Sequence, residues 1–148
     1  MLTIKNGRIH AEEFSFKLPE DMRFYYDSGI ELRDCLQFIS ADNRTILDVR
    51  VHEPVPLGTL EAIANSENFI PTSQIFAVNR GGLDGKAMHF RNRTWDTEYY
   101  EEHFVLKNGL IAEISLSHEV SVATRGSTQE ILKKRPISEF WANVKANN

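Results

Sequence analysis

The run from Gln74 to Glu119 decides the fold: QIFAVNR (74–80), DGKAMHFRNR (84–93), DTEYYEEHFVLK (96–107) and LIAEISLSHE (110–119). These segments read as long strands in succession. The last two meet at Asn108-Gly109, the dipeptide best suited to a two-residue hairpin turn. Setting Lys107 opposite Leu110 puts Tyr99, Val105, Ala112, Ile114 and Leu116 on one face. Tyr100, Phe104, Leu106 and Ile111 then take the other. Both faces are partly apolar, whereas a sheet with one wet face alternates more cleanly. The expectation is therefore an α+β fold, a central antiparallel β-sheet flanked by helices as an α/β/α sandwich.

Working outward, Asn6-Gly7 predicts a first small hairpin with Ile4 opposite Ile9. Phe14, Phe16 and Leu18 alternate until Pro19 ends that strand. Asp42-Asn43 turns the chain between DCLQFIS (34–40) and TILDVRV (45–51). With Ala41 facing Arg44, Phe38 lies opposite Leu47 and Leu36 opposite Val49, and all four share one face. In LGTLEAIANSENF (57–69), Thr59 is a helix N-cap, with Leu60, Ile63 and Ala64 at helical spacing, so a short helix is expected around 58–67. Ser127 to Glu130 has capping-box spacing. Ile137, Phe140, Trp141 and Val144 form one apolar stripe on an expected final helix.

A chain of 148 residues is one ordinary domain, taken as 1–148. Its 41% hydrophobic and 26% charged content is that of a globular protein. A net charge of −4 argues against nucleic acid, which needs concentrated positive charge. Cys35 is the only cysteine, so no internal disulfide forms, and its apolar strand suits a small buried side chain. MLTIKNGRIHAEEF (1–14) lacks the long apolar run of a signal peptide, and no stretch approaches a membrane span. A cytoplasmic location is expected, with no membrane partner.

The order of elements resembles a family. FSFKLPEDM (14–22) comes first, then a strand hairpin and a short helix. GLDGKAMHF (82–90), the EYYEEHFVLKNGLIAEISLS hairpin (98–117) and an amphipathic C-terminal helix follow. This is similar to the PsbP/Mog-like fold family, across nearly the whole chain. Members serve as adaptors, chaperones or extrinsic subunits. The resemblance implies a protein-binding role without cofactor or catalytic residues, and no family site residue carries over.

Among the residues themselves, Arg80-Gly81-Gly82-Leu83-Asp84-Gly85-Lys86 fails as a phosphate loop. It lacks the Gly-Lys-Ser/Thr ending, and a strand follows where a helix is needed. A turn with positive φ at its glycines accounts for it. Glu101, His103 and His118 are the candidate polar cluster. In the register above Glu101 and His103 share a face, with His118 diagonal to Glu101. Two imidazoles and a carboxylate can bind a divalent ion or form an acid–base pair. Equally, both histidines can be hydrogen-bonded side chains at the core edge. Glu102 reads as part of a solvated patch with Ser115 and Glu113. Tyr25, Tyr26 and Trp95 are candidate aromatic contacts, Trp95 foremost. The candidate binding set is Trp95, Tyr99, Glu101, His103 and His118, with no metal or cofactor assigned. The function expected is a non-catalytic binding or adaptor domain for a protein partner, with homodimerisation through a sheet edge or the C-terminal helix as one form. The alternative is a small-ligand binder or metal-assisted enzyme with a sheet-lined pocket around His103, as in the cone-shaped SnoaL-like proteins.

Overall fold

Asn6 and Gly7 both take left-handed backbone angles, φ 53° and 71°. That two-residue turn pairs β1 (Thr3–Lys5) with β2 (Arg8–His10) and sets Ile4 opposite Ile9, as expected. The computed structural model describes residues 2–11, 13–17, 22–27, 34–41, 44–93, 97–119 and 145–146. β3 (Phe14–Lys17) joins β2, and β12 (Lys145–Ala146) joins β3, completing a four-stranded antiparallel sheet. The expected cap at Ser127–Glu130 and the stripe from Ile137 to Val144 lie outside the described residues.

The larger sheet is also antiparallel. It contains β4 (Met22–Asp27), β5 (Asp34–Ser40), β6 (Thr45–His52), β7 (Phe69–Pro71), β8 (Phe76–Arg80), β9 (Leu83–Asn92), β10 (Thr97–Val105) and β11 (Ile111–Glu119). Its order is β4-β5-β6-β11-β10-β9, with both β7 and β8 pairing β9. In β5 and β6, Leu36 faces Val49 and Phe38 faces Leu47, the register that the apolar pattern predicts. All four are buried.

The β10–β11 hairpin departs from expectation by one residue. Leu106 N–H donates to the Leu110 carbonyl at 2.8 Å, and Gly109 N–H to the Leu106 carbonyl at 3.0 Å. Only Gly109 of the turn has positive φ, 85°. Lys107-Asn108-Gly109 is therefore a three-residue loop ending in a left-handed glycine. The pairs are Val105–Ile111, His103–Glu113 and Glu101–Ser115. A one-residue shift exchanges the faces. Phe104, Ala112, Ile114 and Leu116 now share a buried face, and Glu101, His103, Glu113 and Ser115 share the other.

The expected α/β/α sandwich is thereby overturned. Among the described residues the chain is mostly antiparallel strand, with one α-helix, α1 (Leu60–Ala64), and one 3-10 turn, Pro56–Gly58. Strands alternating between one apolar and one polar face need no helical layer on each side. The main core instead joins Leu2, Ile9 and Phe14 of the small-sheet region to Phe38, Leu47, Val49, Phe104 and Leu116 of the large one. A second, smaller cluster of Leu60, Met88 and Phe90 lies under α1, with Ile63, Phe69 and Tyr99 packed on it. Gly85 lets Phe104 cross close to β9, since a Cβ there would stand 2.5 Å from the Phe104 ring.

Candidate functional site

With apolar side chains of β10, β11 and β6 committed to the core, their polar neighbours line up on the outer face. His103 Nε2 lies 2.8 Å from Glu101 Oε1 and 3.6 Å from Glu113 Oε1. The same Glu113 oxygen is 3.0 Å from His52 Nε2, and His52 Nδ1 is 2.6 Å from the Glu53 carbonyl. Ser115 Oγ donates to Glu101 Oε2 at 3.3 Å. The result is one connected row, His52–Glu113–His103–Glu101–Ser115, running across three strands. Its members are buried or half-buried.

Asp48 continues the face, opposite Ser115 on β6. Arg50 Nη2 approaches Asp48 Oδ2 at 3.5 Å, while Asp48 Oδ1 is buried without a hydrogen-bond partner. Burial pushes the Asp48 carboxyl above its ordinary range, with Glu101 and Glu113 adding to the shift against Arg50 and Gln37.

Over one end of this face stands the segment leading into α1. Thr59 caps that helix as predicted, its Oγ1 accepting from Ala62 N–H at 3.1 Å. Between the segment and the sheet lies a groove of about 350 Å³. Its polar wall is His52, His103 and Glu113, and Val55, Leu60, Val105 and Ile111 supply apolar lining. Glu61 and Lys86 also line it, paired at 3.0 Å. Val55 is 43% and Val105 71% exposed, so part of the apolar lining is open to solvent.

Of the candidate binding residues, the structure brings Glu101 and His103 together. His118 is not with them. The hairpin shift moves it to the opposite face, where Nδ1 lies 3.0 Å from Thr45 Oγ1. Tyr99 is on the outer face but packs into the cluster under α1, its ring stacked on Phe90 at 5.0 Å. Trp95 lies outside the described residues, as do the side chains of Tyr25 and Tyr26. Glu113 and His52 were missed as members of the row. The available signal was the alternation of Glu113 and Ser115 with Ala112, Ile114 and Leu116.

Glu102 is also corrected: it is fully buried rather than solvated. Arg80 donates to it through Nε at 3.1 Å and Nη2 at 2.7 Å, and the Tyr100 hydroxyl donates as well. Burial, reinforced by Glu102, pushes the Tyr100 phenol well above its ordinary range. The His89 ring stands 4.6 Å from Tyr100, and burial lowers its pKa. This group holds the β8–β9 hairpin on the core side of the sheet and is separate from the groove.

Chemically, an imidazole between two carboxylates can pass a proton or supply ligands to a cation. The ligand atoms of Glu101, His103 and Glu113 all lie within 4.8 Å of one another.

No protein-family model matches the chain, and no curated protein matches it. Among solved structures the chain is similar to LpqN of Mycobacterium tuberculosis, a protein involved in cell envelope biogenesis. Identity is 11%, over 91% of this chain and 83% of LpqN, with a TM-score of 0.54. A Bacteroides thetaiotaomicron protein is similar at 17% identity over 91% of this chain and 45% of its own length, with a TM-score of 0.46. At such identity the likeness to LpqN is one of fold alone.

Proposed function

We propose that this protein is a binding domain that takes a small amphipathic ligand in the groove beside His103. The observation that carries this is the joining of a connected His–Glu wall to apolar lining in one cavity of about 350 Å³. That volume is at the lower end for a small-molecule site, and a few convergent polar groups in an apolar cleft are the usual composition of one. The polar wall would orient the ligand's head, and Val55, Leu60 and Ile111 would hold its apolar part.

A second reading, a protein-binding adaptor, is favoured by Val55 and Val105, two large apolar side chains that line the groove and are left exposed.

Gly58 separates the two. It lines the groove, its φ is not positive, and a Cβ there meets only Val55 at an ordinary 3.6 Å. Gly58→Trp should fill the cavity without disturbing the fold. Titration with an anilinonaphthalene sulfonate dye should show saturable one-to-one binding, weakened at least about tenfold in Gly58→Trp. Dye binding unchanged by Gly58→Trp, with circular dichroism confirming the fold, would remove the groove as the ligand site.

A further inference from the structure

We propose that Glu101, His103 and Glu113 form a binding site for a divalent transition ion of the Zn²⁺ class, with an open position directed to the groove. This takes the groove reading as its starting point and adds a metal to its polar wall.

Spacing is the first ground. A tetrahedral Zn²⁺ with bonds near 2.0–2.1 Å requires ligand atoms about 3.3 Å apart. His103 Nε2 stands 2.8 Å from Glu101 Oε1 and 3.6 Å from Glu113 Oε1, distances on either side of that value. All three ligand atoms lie within 4.8 Å of one another, so one ion would have to draw them together by side-chain rotation.

The support around the ligands is the second. A metal-binding carboxylate is commonly steadied by an outer hydrogen bond. Here Ser115 Oγ holds the second oxygen of Glu101 at 3.3 Å, and His52 Nε2 holds Glu113 at 3.0 Å. His52 is itself fixed by the Glu53 carbonyl at its other ring nitrogen. Outer partners are therefore in place for both carboxylates.

Charge is the third and independent ground. Asp48, Glu101 and Glu113 gather on one face around Arg50, which is about half exposed and pairs with Asp48 at 3.5 Å. Lys86 is engaged at the rim by Glu61. Asp48 Oδ1 is buried with no hydrogen-bond partner, although Arg50 reaches the other oxygen. A divalent ion beside Glu101 and Glu113 would offset their repulsion of Asp48. One imidazole with carboxylates suits Zn²⁺ or Mn²⁺ and disfavours Ca²⁺, which prefers an all-oxygen shell.

Tag-free full-length protein, stripped with a chelator, is titrated with ZnCl₂ by isothermal calorimetry. One Zn²⁺ per chain is expected, undisturbed by excess Ca²⁺. His103→Gln and Glu113→Gln should each weaken uptake by more than roughly tenfold, and Ser115→Ala by a smaller factor. Circular dichroism and Tm show that each variant is folded. Absence of saturable uptake by folded protein overturns the proposal, as does uptake that survives both His103→Gln and Glu113→Gln. Dye binding without Zn²⁺ uptake leaves the groove reading standing and removes the metal alone.

Discussion

Glu102 has no exposed surface, yet it sits on the core face of β10 between Tyr100 and Phe104. A carboxyl group there is tolerable because the Arg80 guanidinium meets both its oxygens with a paired fork of N–H donors. Removing one partner of such a pair costs more than removing both, since the survivor keeps its burial and loses its compensation. Arg80→Ala should therefore destabilise the fold by about 3–5 kcal/mol. The double change Arg80→Met with Glu102→Gln should recover most of that loss, as read from urea denaturation midpoints. Equal stability of the single and double variants would show that the pair is not coupled. Nothing in the local sequence marks Glu102 as buried. Tyr-Tyr-Glu-Glu-His contains polar residues of both parities, and only the partner strands decide which parity goes inward.

At the scale of elements, two Asn-Gly turns behave differently. Asn6-Gly7 forms the tight two-residue turn, and its register was readable from the dipeptide alone. Asn108-Gly109 forms part of a longer loop because another segment holds it. Glu13 Oε1 accepts from Lys107 N–H at 2.5 Å, and Oε2 from Asn108 N–H at 3.5 Å. These contacts span 94 and 95 residues of sequence. They supply the turn's amides with a carboxylate and fasten the N-terminal sheet to the hairpin. Glu13→Ala should lower stability by about 1 kcal/mol, the worth of a charge-assisted cap, and expose these two amides. Hydrogen exchange at Lys107 and Asn108 is the measurement, and protection equal to the parent's would refute the clasp. The same shift explains the site. It takes His118 away from Glu101 and brings in Glu113, so a one-residue question about a turn decides which polar groups meet.

Over the whole molecule, stability should depend on acid through His89. Burial lowers its pKa from an ordinary 6.5, so the folded state favours the neutral ring more than the unfolded state does. The unfolded chain then binds the extra proton first as pH falls. Stability from this group is complete above 6.5 and is lost as pH drops through the lowered value. His89→Phe, which keeps an aromatic ring between Phe76 and Tyr100, should flatten the fall in Tm between neutral pH and mild acid. An unchanged slope in that variant would assign the acid sensitivity elsewhere. Layering is the other property at this scale. The expected helical cover followed from two half-apolar faces; the corrected register gathers Phe104, Ala112, Ile114 and Leu116 on one face, and α1 covers the Met88, Phe90 and Tyr99 end of the other.

The sequence by itself determined the strand-rich character, the β5–β6 register, the Asn6-Gly7 turn and the Thr59 cap. Each depends on residues close in the chain, whose turn chemistry and alternation are complete within a dozen positions. The tertiary structure alone decided the β10–β11 register, the burial of Glu102 and the meeting of Glu101, His103, Glu113 and His52. The reason is the two-residue period of a strand. A contact from Glu13 far along the chain, and the demand of the Leu47–Val49 face for apolar neighbours, shift the pairing by one residue and exchange every side chain between core and surface.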